Sequence, residues 1–290
     1  MSQEILIAAL KKDQTVERDN IYIASTIAEK TVWDRLAVEN PTHAVVSAAD
    51  EATAAKKSEE QIADIKSHLK PGDIVLDCGT GYGRVAKYLL PYMPLKGYIG
   101  LDSSYQMLKL FKTRYDASTA EQHTPLLLLN ADIHTVPLQS ESVDSVIVSA
   151  VFLHNHKSIT QKAMAEIRRV TKPGGTVLIY SSFPRAATLM GLQGLAYQAL
   201  LNLLGKPFKN GPVRYFRRYE IMHLFDGFTE VELRPAGFAL LPKTIIIFPK
   251  PLEILWRKGI ANPVNYILEK ITPARLKPYF AVHYDVIATR

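Results

Sequence analysis

Short apolar runs that stop at a glycine or an acid, alternating with stretches of helical spacing, predict an α/β fold on a mostly parallel sheet. Three observations carry this expectation. Ile74-Val75-Leu76 reads as a buried strand that breaks off at Asp77-Cys78-Gly79-Thr80-Gly81-Tyr82-Gly83, and Arg84–Leu90 then takes up helical spacing. The same strand–turn–helix order recurs from Tyr98 to Phe111. A helical stretch over 157–171 stops at Lys172-Pro173-Gly174-Gly175, just before the apolar run Thr176–Tyr180.

Composition fits such a fold. With 290 residues, 47% hydrophobic and 22% charged, the chain can bury a sizeable core in one large domain or two small ones. The single cysteine, Cys78, excludes an intramolecular disulfide and a cysteine-rich zinc site, and suits a reducing, cytoplasmic compartment. The start, with an early acid and a short apolar run, does not read as a secretory signal. Charge is uneven: residues 1–150 hold 15 basic and 20 acidic side chains, residues 151–290 hold 20 and 8. The second half is therefore either an ordinary solvated surface or a face that meets something anionic.

Taken in order, Ile5, Leu6, Ala9 and Leu10 suit a first helix and Ile21 to Leu36 a second. Ser58 with Gln61 reads as a capping box opening a third, which ends near Leu69 before Pro71-Gly72. Trp33 and Tyr22 fit core positions, with the alternative that they line a site. The glycine turn after Leu76 brings backbone N–H groups and a helix N-terminus against a ligand. Its spacing, Gly79-x-Gly81-x-Gly83, departs from the dinucleotide fingerprint, because Arg84 stands three residues after Gly81.

Asp102 closes the strand Tyr98–Asp102, 19 residues after Gly83, where an acid can accept hydrogen bonds from both hydroxyls of a ribose. The plainer reading is an acid favoured by the dipole of the following helix. Ser103 is the expected N-cap of that helix, which continues through Met107, Leu108, Leu110 and Phe111. Leu126–Leu129 forms the next strand and leads into Asn130-Ala131-Asp132-Ile133, where Asp132 alone would also pass for a turn residue. Val143–Ser149 runs into Ala150-Val151-Phe152-Leu153-His154-Asn155. Arg214–Phe225 reads as a helix, and Glu230–Leu241 and Val282–Ala288 as the last two strands.

The Asp77-x-Gly79-x-Gly81-x-Gly83 turn, Asp102, the Asp132 segment and the Arg168–Gly175 stretch (RRVTKPGG) stand in order over residues 60–182. Together they resemble the class I S-adenosylmethionine-dependent methyltransferases. The resemblance implies a seven-stranded, mostly parallel sheet with helices on both faces, its last strand antiparallel between the fifth and sixth. It implies an N-terminal helical lid over 1–57, a methyltransferase domain over 58–290, and extra segments at 183–213 and 242–280 that form a cap. The cofactor it implies is S-adenosyl-L-methionine. Asp77, Gly79, Gly81 and Gly83 would hold its methionine part, Asp102 the ribose and Asp132 the adenine, with Ser103, Met107, Ala131, Ile133 and Ser149 around them.

The first extra segment contains Ala186–Gly205, a run of 20 uncharged residues. Gln193, Gln198, Asn202 and three glycines make it a buried or interfacial helix rather than a membrane span. The second mixes Ile245-Ile246-Ile247-Phe248 with prolines, and sets Trp256 beside Arg257 and Lys258. That pattern suits a membrane interface and equally an ordinary surface.

Methyl transfer asks a protein to desolvate and align its reactants and, for some acceptors, to remove a proton. His154, just after the fourth strand, is the candidate base, with a structural histidine as the alternative; His156 and His223 are weaker ones. Tyr215 and Arg217 are candidates for binding substrate. Ser149-Ala150-Val151-Phe152 replaces the N/D-P-P-Y/F motif of DNA amino-methylating enzymes, and the only cysteine lies inside the glycine turn, away from any role as a pyrimidine nucleophile. No Asp/Asn cluster suggests a metal. The expected activity is methylation of a small-molecule or lipid-like acceptor, with an anionic membrane surface as a further partner and a location in the cytoplasm or peripheral to a membrane. The alternatives are a nucleic-acid or protein acceptor bound by the basic half, and a catalytically silent cofactor-binding partner protein. The absence of an appended nucleic-acid-binding motif disfavours a nucleic-acid acceptor.

Overall fold

A computed structural model of the chain describes residues 2–27, 32–39, 51–117, 124–206, 213–242 and 250–290. The core of the fold is a nine-stranded sheet in the order β1-β2-β5-β4-β3-β6-β7-β9-β8. The strands are β1 Thr15–Arg18, β2 Ile21–Ala24, β3 Ile74–Cys78, β4 Gly97–Asp102, β5 Leu126–Asn130, β6 Val143–Ser149, β7 Thr171–Pro184, β8 Glu230–Ala236 and β9 His283–Thr289. From β2 to β7 neighbouring strands are parallel; β9 runs antiparallel to both β7 and β8. The α/β class and the inserted antiparallel last strand are as the sequence predicts.

Alternate residues of each central strand enter opposite layers, as the period of two requires. Leu76, Ile99, Leu129, Val146 and Ile179 face one layer, which holds α1 (Ser2–Ala8) and α6 (Lys157–Val170). Val75, Tyr98, Leu128, Ile147 and Leu178 face the other, with α3 (Glu51–His68), α4 (Arg84–Leu89) and α5 (Tyr105–Asp116). Parallel strands covered on both faces read as continuous apolar runs, and so they are the elements most legible in the sequence.

The N-terminal region corrects two expectations. The sheet has nine strands rather than seven, and Ile21–Ala24 is a strand instead of the start of a helix. Asp19 and Asn20 both have positive φ (55° and 58°), the conformation of a tight two-residue hairpin turn, and they fold β1 back on β2. Ile21 pairs with Leu128, so the hairpin extends the sheet and covers the edge of β5. Residues 1–57 are therefore not an all-helical lid: Leu6 and Ile21 are fully buried parts of the core. The 57/58 boundary falls inside α3, so the helix expected to open at Ser58 already runs from Glu51.

Two smaller differences follow from pairing. β7 is longer than Thr176–Tyr180, because it pairs from Thr171 with β6 and up to Pro184 with β9. β8 ends at Ala236, before Gly237 with its φ of 67°, rather than at Leu241. The first extra segment contains α7 (Leu189–Leu203), after which α8 (Arg218–Leu224) leads to β8. The second contains α9 (Lys250–Leu255), a π-helical turn Trp256–Ala261, α10 (Asn262–Ile271) and α11 (Lys277–Phe280). The Ile245–Phe248 run lies outside the described residues. No helix among the described residues is long and apolar enough to cross a membrane.

Candidate active site

The chain order reverses direction across the sheet between β3 and β6, and ligands of open α/β sheets bind outside the carboxyl ends of the strands at such a switch point. A cavity of about 760 Å³ lies there, lined by the ends of β3, β4, β6 and β7 and by the residues just after β5. That volume is within the range of small-molecule sites.

The glycine turn is held from below. Gly79 and Thr80 donate their backbone N–H groups to Leu101 O at 2.7 and 3.0 Å, locking the turn to β4. Asp77, 1% exposed, accepts from Tyr98 Oη at 2.6 Å and Thr80 Oγ1 at 2.7 Å. Burial pushes its carboxyl up, and these two hydrogen bonds pull it back. Gly83 has φ of 81°, and a Cβ there would lie 2.3 Å from Phe111 Cδ2. Asp77 and Gly83 therefore build the turn from beneath, while Gly79 and Gly81 line the cavity. Of the four residues expected at the methionine part, two therefore line the cavity and two lie behind it.

Asp102 is the centre of the donor set. Its Oδ2 accepts the Gly81 N–H and its Oδ1 the Ser104 N–H, both at 2.8 Å. Burial raises its carboxyl to about 6, against the pull of those two donors. The residue that caps α5 is Ser104, not Ser103, because its Oγ accepts from Met107 N. Ser104 also donates to Asp34 Oδ1 at 2.6 Å, which ties α2 (Val32–Glu39) to the start of α5 and brings Trp33 into the cavity wall. Ser103, Met107, Ala131, Asp132, Ile133 and Ser149 all line the cavity.

A cation stands beside the turn. Arg84, 8% exposed, donates through Nη2 to Gln61 Oε1 at 2.7 Å and to Ser149 Oγ at 2.9 Å. Burial lowers its pKa, which the charge of Asp77 counters.

His154 lies in the loop after β6, in a short turn over Phe152–His154. Its Nδ1 is buried and has no hydrogen-bond partner among the described residues, and burial pushes the imidazole below its ordinary pKa. Trp33 meets its ring edge-on at 5.1 Å. Ala150 and Ser181, which also line the cavity, take φ of 58° and 51°, a strained conformation for residues with a Cβ that gathers at functional sites.

The far wall comes from elements legible in the sequence, but from residues in them that no motif marks. Tyr180 donates to Asp64 Oδ2 at 2.7 Å, and Arg234 Nη1 reaches Asp64 Oδ1 at 3.2 Å. Asp285 accepts the Ser181 N–H at 2.7 Å, with His283 Nε2 3.5 Å away, and burial raises its carboxyl to about 6.

Tyr215 and Arg217 do not join the site. Tyr215 packs against α7, where Gly194 leaves room for its hydroxyl, and Arg217 is exposed at the start of α8. His156 caps α6, and His223 is exposed on α8.

The donor set suits a nucleoside joined to an amino acid. Asp102 and Asp132 bring carboxylate acceptors, and Arg84 a guanidinium, to the wall of one cavity. A family profile described as a methyltransferase domain matches residues 76–179. Among curated proteins, the chain is 29% identical over 138 residues to a ubiquinone/menaquinone biosynthesis C-methyltransferase of Syntrophotalea carbinolica, covering 47% of this chain and 56% of that protein. It is 32% identical over 120 residues to a tRNA (carboxymethyluridine(34)-5-O)-methyltransferase of Arabidopsis thaliana, covering 41% and 26% respectively. The chain spans less than two thirds of the length of the curated relatives it matches. Among solved structures, a geranyl diphosphate methyltransferase in complex with SAM superposes with a TM-score of 0.52 at 14% identity, over 85% of this chain and 94% of that one.

Proposed function

From the premise that the chain carries a class I S-adenosylmethionine-dependent methyltransferase domain, we propose that it methylates a small or lipid-like acceptor held in this cavity. The observation that carries the reading is Asp102, buried at the end of β4 and braced by two backbone donors beside the glycine turn. S-adenosyl-L-methionine, when bound, supplies an electrophilic methyl group on a sulfonium. Asp102 accepts from the ribose hydroxyls, Arg84 holds the methionine carboxylate, and Asp132 takes the adenine amino group. Met107, Ala131 and Ile133 give apolar contact around the adenine.

His154 serves the acceptor. Burial keeps its imidazole neutral at pH 7, and the ring, which lines the cavity, can take the proton of an attacking O–H or N–H group. Trp33, held by the Asp34–Ser104 bond, shields this end from water. Leu153, Ile159 and Val282, which also line the cavity, offer an apolar surface to the acceptor. A free, buried Cys78 fits a protein of the reducing cytoplasm. The similarity to a tRNA methyltransferase keeps one second reading, a nucleic-acid acceptor drawn to the basic half.

Calorimetric titration with S-adenosylhomocysteine tests the site. The wild type is expected to bind, and Asp102→Ala to lose roughly 100-fold in affinity, the scale of losing hydrogen bonds to a charged group. Equal binding by the two proteins contradicts the assignment.

A further inference from the structure

We propose that the two inserted segments form one face that docks the protein on an anionic lipid bilayer. The face stands on surface chemistry alone, and its test does not depend on methyl transfer.

The first support is where apolar surface is left uncovered. Among the described residues, 22 large hydrophobic side chains are exposed, and 16 of them fall in the two inserted segments, 183–213 and 242–280. Scattered exposed hydrophobes are ordinary; a concentration on two adjacent segments marks an interaction surface.

The helices there also turn apolar residues outward. α7 buries Gly191 and Leu201 but exposes Leu189, Leu192, Leu200 and Leu203, so its outward arc is leucine-rich. α10 buries the polar Asn265, whose side chain bonds Leu240 and Leu241 through their backbone, and exposes Tyr266, Ile267 and Ile271. A surface helix of a globular protein keeps its outward face charged or polar.

Charge singles out the same segments. Residues 183–213 and 242–280 contain ten Lys and Arg against two acids, Glu253 and Glu269. The rest of the chain holds 25 basic against 26 acidic side chains, so the inserted segments account for the whole positive excess.

The two segments are joined at their roots. Arg185, at the start of the first, donates its N–H to Val282 O at 2.9 Å and its Nη1 to Ala281 O at 2.8 Å, at the end of the second. Both leave the sheet at the carboxyl ends of parallel strands, β7 and β8, the edge at which the cavity lies. Ala236, Gly237, Val282 and His283, the feet of the second segment, line the cavity themselves. Docking by this face would set the cavity beside the lipid.

Leucines beside lysines match a bilayer interface, where acyl chains take the apolar face and anionic headgroups the basic rim. α7 has 15 residues, roughly 22 Å of helix against a hydrocarbon core of about 30 Å, so it would lie in the interface rather than cross it. A second copy of the chain would bring like charges together, and a nucleic acid would leave the leucines without a partner.

Sedimentation with vesicles tests this, using phosphatidylcholine alone and phosphatidylcholine mixed with phosphatidylglycerol, with no cofactor present. The expected result is at least roughly tenfold more protein on the mixed vesicles, weakened by salt. The double variant Leu203→Asp, Ile271→Asp is expected to lose roughly tenfold or more of that binding while keeping its unfolding temperature. Sedimentation with neither vesicle overturns the proposal, as does undiminished binding by a folded double variant. Light scattering that shows a dimer dissociated by the same variant overturns it in favour of self-association. Retention on tRNA with no binding to vesicles overturns it in favour of a nucleic acid.

Discussion

The sheet edge around the glycine turn and the inserted helices solve opposite problems with similar residues. In the first, aliphatic side chains from parallel strands are buried on both faces, and even the polar groups Asp77, Asp102 and Arg84 are held under 10% exposed by named partners. In the second, leucines and isoleucines of α7 and α10 stand in solvent while Asn265 is buried. The difference teaches that the first region is organised for geometry and the second for a surface. Substitutions should therefore hurt in different ways on the two sides.

The largest effect is expected at His154. His154→Ala should lower kcat roughly 10²- to 10⁴-fold for an acceptor that must lose a proton, with binding of S-adenosylhomocysteine unchanged. At saturating cofactor the wild type should lose activity on the acid side with a midpoint below 6.5, since burial disfavours the protonated ring and protonation removes the base. A variant with full kcat would return His154 to a structural role and leave the chemistry to alignment alone.

Next comes the pH dependence of cofactor binding, again confined to the sheet edge. Asp102 has its carboxyl raised to about 6, and the bound ribose needs the ionised form as acceptor. Affinity for S-adenosylhomocysteine is therefore constant well above pH 6 and falls by up to about tenfold per unit below it. Calorimetry across that range checks the sign; tighter binding at low pH would contradict it.

The smallest effects sharpen the comparison most, because one methyl group is set against one charge. Gly83→Ala adds a Cβ that would lie 2.3 Å from Phe111 at a φ of 81°, and should cost roughly 2–4 kcal/mol through strain and overpacking. Leu203→Asp puts a carboxylate on a side chain that is 83% exposed and should change stability by no more than about 0.5 kcal/mol. Denaturant unfolding of the two variants measures both. If Leu203→Asp destabilises as much as Gly83→Ala, the outward arc of α7 is packed in solution and is no docking face.

Legibility in the sequence follows the same division. β3 to β6 were readable because parallel strands buried on both faces are apolar throughout, and the acids at their ends fell at regular places. Gly79, Gly81, Asp102 and Asp132 reach the cavity for that reason. The side of the turn on which the Asp77 carboxylate lies is not legible in sequence order; it is set by Tyr98, 21 residues on, which holds it beneath. The hairpin over Thr15–Ala24 was legible in Asp19-Asn20, a turn pair between alternating β-branched residues, but the apolar spacing of Ile21 onward resembled a helix. Arg84 also carried a signal, as a cation at the first residue after the glycine turn. The wall of Tyr180, His283 and Asp285 did not, because it depends on β9 inserting beside β7 after 98 residues of intervening chain. Tyr215 and Arg217 looked chemical by composition alone, and packing against α7 and the start of α8 keeps them away.

The account joins a cofactor cavity to an apolar, basic face, and one measurement bears on both. Purified protein would be incubated with methyl-labelled S-adenosylmethionine and a whole-cell extract, then partitioned between organic solvent and water. The account predicts label in the organic phase, dependent on Asp102 and His154. Label confined to water would remove the lipid-like acceptor and leave a small polar one, and no label in either phase from a protein that binds the cofactor would contradict the account.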